Sequence, residues 1–367
     1  MTKKINTILL IFVCLMCLTP FTVSAQGSEA CYPPEEVMCI SYRGDTALYE
    51  QNSKEAVLSA FEKGADFVSV NIMKDGGGEL VLCSENAVEV KGTTLKEMLT
   101  LLPEEGVLIL DFDISLKDEV YNLARSENAL SRVWLRIKDS AKNINTWVSS
   151  KEQEPVVIGV CSSFNIFTVQ SFVKKLNYMP AVQLQSKNYF NVMYGAYCYS
   201  HYASREGTRA VAPMYNPDLC GQRSDSEDGW NDLIKKNFSI IETNNLDSFI
   251  AYRNNSRVLK EQLSLLLEKA ESINAEGYSR VSRENLRDGI ERAKGLVSGG
   301  VAACDELQSA HSALQLAINN LTLSEGEDTQ KGALNITPGK VIAAVLVGSL
   351  ILAAQIYVYK MHKEKKR

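Results

Sequence analysis

From residue 35 to about residue 252, short runs of β-branched and other apolar residues alternate with longer polar or amphipathic stretches. That rhythm is the signature of strand–helix repeats around a parallel sheet. Eight runs stand out: Val37–Tyr42, Phe67–Met73, Val107–Asp113, Arg132–Lys138, Val156–Ser162, Ala181–Ser186, Ala210–Tyr215 and Phe238–Thr243. Eight strands in roughly 220 residues predict a (β/α)8 barrel, which typically takes about 250; a doubly wound sheet would normally need fewer strands. Leu80–Ser84 then reads as an extra strand in the loop after the second stave.

The alternation within each run also predicts which side chains face the barrel axis, because neighbours on a strand point to opposite sides. In the fourth run Val133, Leu135 and Ile137 form the apolar, helix-facing set, which turns Trp134, Arg136 and Lys138 inward. The same rule turns inward Ser69 and Asn71, Asp111 and Asp113, Gln183 and Gln185, and Glu242. A purely structural barrel would fill its upper layer with Val, Ile and Leu, so this pattern predicts a polar mouth at the end of the strands where barrel sites sit.

After Tyr252 the period changes from two to about three and a half. Leu259, Leu263, Leu266, Ala270 and Ile273 share one helical face, as do Leu286, Ile290, Ala293 and Val297, and again Leu307, Ala310, Leu314, Ala317 and Leu321. A small three-helix bundle over residues 257–322 is expected, with Ser282 as an N-cap. Residues 323–340, rich in Glu, Asp, Gly and Thr, read as a flexible stalk.

The two ends change the picture from a soluble protein to a secreted, tethered one. Residues 1–25 combine Lys3 and Lys4, an apolar run and Val23-Ser24-Ala25, the layout of a signal peptide. Val341–Tyr359 is an uncharged run as long as a transmembrane helix needs, and residues 360–367 carry five basic residues that mark a cytoplasmic tail. The body is therefore expected outside and the tail inside. The chain has a formal net charge of −5; Lys3 and Lys4 contribute +2 and the tail +4, so the body carries −11. No basic stripe interrupts it, which argues against nucleic acid as a partner. Seven cysteines follow the signal, an odd number without zinc-ligand spacing; Cys198 with Cys220 is the pair that could form a disulfide.

The candidate chemistry lies between Met38 and Glu85. It contains Tyr42-Arg43-Gly44, Asn52-Ser53, Gly64-Ala65-Asp66, Ser69-Val70-Asn71, Lys74-Asp75-Gly76 and Ser84-Glu85. This resembles the opening of the glycerophosphodiester phosphodiesterase family, phospholipase C-like barrels that carry His-Arg-Gly, Pro-Glu-Asn-Thr, Gly-Ala-Asp, a Glu-x-Asp pair, Lys-Asp-Gly and a closing His-Asp. The frame matches, whereas the chemistry departs: the family's two histidines fall on Tyr42 and Ser84, and its Glu-x-Asp metal ligands on Ser69 and Asn71. Its third carboxylate falls on Asp111. The helical segment after the barrel is similar to a FIVAR module, a three-helix repeat of bacterial surface proteins that implies spacing or glycan association.

The resemblance implies metal-assisted cleavage of glycerophosphodiesters to glycerol 3-phosphate and an alcohol. A cation that neutralises phosphate needs several carboxylate oxygens, and proton transfer near neutral pH is the ordinary work of His. Of three His residues, only His201 lies in the barrel segment. The expectation is a pseudoenzyme, a degenerate barrel that binds a phosphate-ester or glycan ligand through Arg43, Ser69, Asn71, Glu85, Asp111, Arg136, Gln183, Gln185 and Glu242, with no cofactor. The alternatives are an active phosphodiesterase with an unusual site, which would need Ca or Mg, and a surface spacer with no ligand. An internal acid–base cluster of Asp111 and Asp113 with Arg136 and Lys138 is expected where the family holds its metal, since adjacent strands lie only about 4.7–4.9 Å apart.

Overall fold

The computed structural model describes residues 36–84, 92–162, 166–176, 179–185, 208–213 and 225–323, without the side chains of 162–170 and 185. Within these, the apolar runs form nine strands: β1 (Met38–Tyr42), β2 (Phe67–Lys74), β3 (Leu80–Leu82), β4 (Val107–Phe112), β5 (Val133–Ile137), β6 (Val156–Ser162), β7 (Ala181–Gln185), β8 (Arg209–Ala212) and β9 (Phe238–Thr243). All but β3 pair in parallel, in the order β1-β9-β8-β7-β6-β5-β4-β2, and β1 pairs back onto β2 to close the ring. This is the expected eight-stranded barrel. β3 is the expected extra strand, antiparallel to the end of β2.

Two cores follow from the alternation. Met38, Ile40, Phe67, Val107, Ile109, Trp134, Ile158, Ala181, Val211 and Ile240 fill the barrel interior. The opposite faces of the same strands, with Val68, Val70, Leu108, Leu110, Val133, Leu135, Ile137, Val157 and Val182, pack under the helices. Those helices are α1 (Lys54–Glu62), α2 (Leu95–Leu101), α3 (Lys117–Ser126), α4 (Ala141–Ser149), α5 (Ile166–Lys175) and α6 (Glu227–Lys235). Ser53, Thr94, Ser140 and Ser226 cap α1, α2, α4 and α6 by accepting from backbone N–H groups in the first turn.

Two strand ends differ from expectation. β4 stops at Phe112, because Asp113 turns out of the strand to cap the 3-10 turn Ile114–Leu116, accepting from the Ser115 backbone N–H at 2.9 Å. β5 stops at Ile137, which leaves Lys138 exposed beyond the sheet. Of the expected Ala210–Tyr215 strand, Ala210–Ala212 are in β8 and residues 214 onward fall outside the described ones.

The helical segment consists of α7 (Leu246–Glu271), α8 (Arg280–Ser298) and α9 (Cys304–Asn319). The three apolar stripes read from the sequence meet in one core of Leu263, Leu266, Leu267, Ala270, Leu286, Ala293, Leu307, Ala310 and Leu314. The N-cap of α8 is Ser279 and not Ser282: the Ser279 hydroxyl accepts from the Ser282 backbone N–H, while Ser282 is buried against Thr322. The expected boundary between barrel and module falls inside a continuous helix. α7 starts at the mouth end of β9, passes the base of the barrel where Arg253 binds Asp66 and the Gly64 carbonyl, and runs on for five more turns. α9 starts at that base, where the Tyr252 hydroxyl and Asn231 Oδ1 accept from the Cys304 and Asp305 backbone N–H groups, and heads away. At 1.5 Å per residue its 16 residues carry the chain about 24 Å below the barrel, to a bridge between Tyr278 and Leu323.

Among the described residues no helix is long and apolar enough to cross a membrane. The expected signal, stalk, span and tail, and the Cys198–Cys220 pair, lie outside them. Cys39, Cys83, Cys161 and Cys304 are buried free thiols.

Candidate ligand-binding site at the barrel mouth

The frame at the start of the barrel performs backbone work. Arg43 and Gly44 both adopt positive φ, at 63° and 89°. A Cβ at residue 44 would stand 2.6 Å from the Ala56 carbonyl carbon, so only glycine lets the first turn of α1 approach there. Asn52, also left-handed at φ 60°, accepts the Asn71 backbone N–H on its Oδ1 at 2.9 Å and so pins the end of β2. Asp66 accepts the Cys39 backbone N–H at 2.6 Å and pairs with Arg253, tying β1, β2 and α7 together at the base. Asp75 accepts from the Gly77 and Glu79 backbone N–H groups and closes the turn before β3. Gly44, Asn52, Asp66 and Asp75 thus each have a structural reason to be there that is independent of catalysis.

Above the apolar interior, the inward positions become polar. Ser69 and Asn71 on β2, Asp111 on β4, Gln183 on β7 and Glu242 on β9 are buried or nearly so, and Arg43 and Arg136 lie among them. Their charged groups form one chain. Arg43 Nη1 donates to Asp111 Oδ2 at 2.8 Å, Arg136 Nη1 donates to the same oxygen at 3.1 Å, and Arg136 Nη2 donates to Glu242 Oε1 at 2.8 Å. Burial works against the Arg136 charge, yet Asp111 and Glu242 outweigh it and hold the guanidinium above its ordinary pKa. The Arg43 guanidinium also lies 4.6 Å from the centre of the Tyr42 ring.

The expected acid–base cluster therefore exists with a different membership. Asp111 and Arg136 meet across adjacent strands as the register requires. Asp113 does not join them: it is exposed, and the Ser115 hydroxyl and backbone N–H hold its carboxyl below the usual range. Lys138, beyond the end of β5, does not join them either. Their places are taken by Glu242, from the strand that closes the ring, and by Arg43, whose left-handed backbone aims its side chain across the mouth. Tyr42 lines the mouth. Ser84 stands aside from the cluster, accepting from Gln51 Nε2 at 3.0 Å. Glu85 and His201 lie outside the described residues, and Gln185 is placed in β7 without a described side chain.

Tyr42, Arg43, Asn71, Asp111, Arg136, Gln183 and Glu242 line a cavity of about 780 Å³, whose wall does not include Ser69 or Ser84, together with Met73, Lys74, Phe112, Ile114, Val160 and Pro213. Ligand sites commonly occupy about 300–1,000 Å³. Among the described residues that line it, the donor set does not suit a divalent cation. Hard cations take six to eight oxygens, several of them carboxylate. Here Asp111 is the one acid among the three positions matching the family's ligands, and two guanidiniums already occupy its Oδ2. Among the described residues no cluster of three or more His, Cys, Asp or Glu side chains gathers.

The closed ring of eight parallel strands with a polar mouth defines the chain as a (β/α)8-barrel protein with a three-helix extension. Its structure is similar to that of a glycerophosphodiester phosphodiesterase from Agrobacterium tumefaciens (12% identity, 59% of this chain and 99% of that one, TM-score 0.46). The same holds for one from Thermotoga maritima (14%, 59% and 99%, TM-score 0.46) and a glycerophosphoryl diester phosphodiesterase from Parabacteroides distasonis (14%, 62% and 89%, TM-score 0.48). No family model and no curated protein matches the sequence. The barrel is defined by the pairings of its own strands.

Proposed function

We propose that this chain is a membrane-tethered surface protein whose glycerophosphodiester phosphodiesterase-like barrel has exchanged catalysis for ligand binding. The observation that carries the reading is the double guanidinium clamp on Asp111, which takes up the acid that a catalytic cation would need. Tyr42 and Ser84 stand where the resemblance would place the histidines, the residue type that ordinarily moves protons near neutral pH. A retained cavity with buried polar walls favours a binding module over an empty spacer. The expected ligand is a phosphate ester or a glycan. The experiment is release of glycerol 3-phosphate from glycerophosphocholine by the full-length protein, with Ca²⁺ or Mg²⁺ and with chelator. No release is expected under any condition; metal-dependent turnover would refute the reading.

The helical segment, read as FIVAR-like, supports a spacer role: α9 delivers the chain to the pole opposite the mouth. A stalk and span after residue 323 would then present the mouth away from the anchoring membrane. Protease added to intact cells is expected to remove a barrel epitope and spare an epitope fused after Arg367. Survival of the barrel epitope on intact cells, with loss only after lysis, would contradict that orientation.

A further inference from the structure

We infer that the mouth binds a neutral, hydroxyl-rich ligand, a sugar or polyol unit, without a metal ion and in preference to phosphate. The inference rests on the non-catalytic reading above and narrows its ligand class. Two features of the mouth carry it: its charge balance and the kind of polar atoms left without partners.

Among the described residues the buried charges of the mouth sum to zero and are matched to one another. Two guanidiniums and two carboxylates alternate along one hydrogen-bonded chain with contacts of 2.8, 3.1 and 2.8 Å. The Glu242 side chain is 2% exposed. A phosphate could win Arg136 only by displacing it from Glu242 and Asp111, and a buried carboxylate that loses its guanidinium is strongly destabilising. The rim repeats the balance: Lys74 pairs with Glu119 at 2.6 Å, and Lys138 and Asp113 are one exposed charge of each sign. Among the described residues the mouth thus carries no surplus of positive charge of the kind that captures a dianion.

What remains unsatisfied has mixed polarity. Gln183 Oε1, an acceptor, the Ser69 hydroxyl, which can donate or accept, and Arg136 Nε, a donor, have no hydrogen-bond partner among the described residues. All three belong to inward-facing residues of β7, β2 and β5; Gln183 is 1% exposed and lines the cavity beside Arg136. Buried polar atoms of a folded protein are normally paired, and an orphan costs about 1–3 kcal/mol. A metal cation could not satisfy the Arg136 donor. A phosphate dianion, all acceptor, could not satisfy the Gln183 oxygen. A hydroxyl does both, since it donates to one group and accepts from another. Tyr42, Met73, Phe112 and Ile114 supply apolar wall for the C–H faces of such a ring.

The test is calorimetric titration of the full-length protein with glycerol, glucose and N-acetylglucosamine as neutral probes and with glycerol 3-phosphate and inorganic phosphate as anionic ones, each with and without EDTA. Binding of a neutral probe at or below about 1 mM is expected, unchanged by EDTA and by added salt. Gln183→Leu, in the cavity wall, should weaken it about tenfold or more, and Ser69→Ala, one inward position below Asn71 and beneath that wall, should weaken it less. Neither should lower the Tm of the free protein, because each removes an unpartnered polar atom; this separates lost binding from lost folding. Binding of anionic probes alone, binding abolished by EDTA, or no binding by any probe at tens of millimolar would overturn the inference. Glycerol 3-phosphate release in the separate turnover assay would instead sink the non-catalytic reading itself, whatever the titrations show.

Discussion

Arg136→Ala is expected to destabilise the barrel by about 3–5 kcal/mol, the range for breaking a buried ion pair by removing one partner. The guanidinium bridges two carboxylates on different strands, Asp111 on β4 and Glu242 on β9, so its loss is felt on both sides of the mouth. Asp111 keeps Arg43 in the variant, whereas Glu242, the more deeply buried acid, loses the contact at 2.8 Å. For a domain of this size the Tm should fall by on the order of 10 °C. Urea unfolding of the two proteins measures the difference. A triple variant, Arg136→Met with Asp111→Asn and Glu242→Gln, should recover most of the loss, because charge and partner are removed together. Lys138→Ala, at an exposed position, should stay within about 0.5 kcal/mol. A loss below about 1 kcal/mol for Arg136→Ala would mean that solvent screens the cluster and that it does not organise the mouth.

A gain of metal binding is the second large effect expected. Tyr42→His, Ser69→Glu, Asn71→Asp and Ser84→His together would return the family's residue types to the positions that resemble its site. Asn71 lies directly opposite Asp111 in the β2–β4 register, and Ser69 opposite Ile109, so the restored acids would rise on the same wall as Asp111. The fourfold variant alone should still bind Ca²⁺ poorly, since Arg43 and Arg136 hold the shared oxygen. Adding Arg136→Met should release it and bring the dissociation constant to about 10⁻⁴–10⁻³ M, the range of extracellular calcium modules. Calorimetry with and without Asp111→Asn in the fivefold background reads the result. Equal affinity with and without Arg136 would show that the guanidinium is no obstacle, and the argument against a cation would fall with it.

The two predictions share a lesson about the frame at the start of the barrel. Gly44, Asn52, Asp66 and Asp75 match a catalytic family, yet each is explained here by a left-handed backbone, a pinned strand end, a base lock or a tight turn. These four residues are therefore accounted for by backbone geometry alone. Such a match speaks to fold, while activity must be argued from the site.

The chain's own pattern was enough for the eight staves, the extra strand β3, the inward positions within the strands from Ser69 to Glu242 whose side chains are described, and the three helical stripes, because alternation of period two and repetition near 3.6 are properties of local backbone geometry. It also paired Asp111 with Arg136, since neighbouring staves lie within side-chain reach. It misassigned Asp113 and Lys138, because strand ends are set by where a turn finds its cap, and Asp113 caps Ser115 instead of continuing β4. Ring closure decided the rest. Only when β9 returns beside β1 does Glu242 come opposite Arg136, and only the positive φ of Arg43 carries its guanidinium to Asp111. The continuity of α7 through the barrel base was equally a matter of tertiary packing, since Tyr252 and Arg253 complete the base with their own side chains before the helix joins the second core.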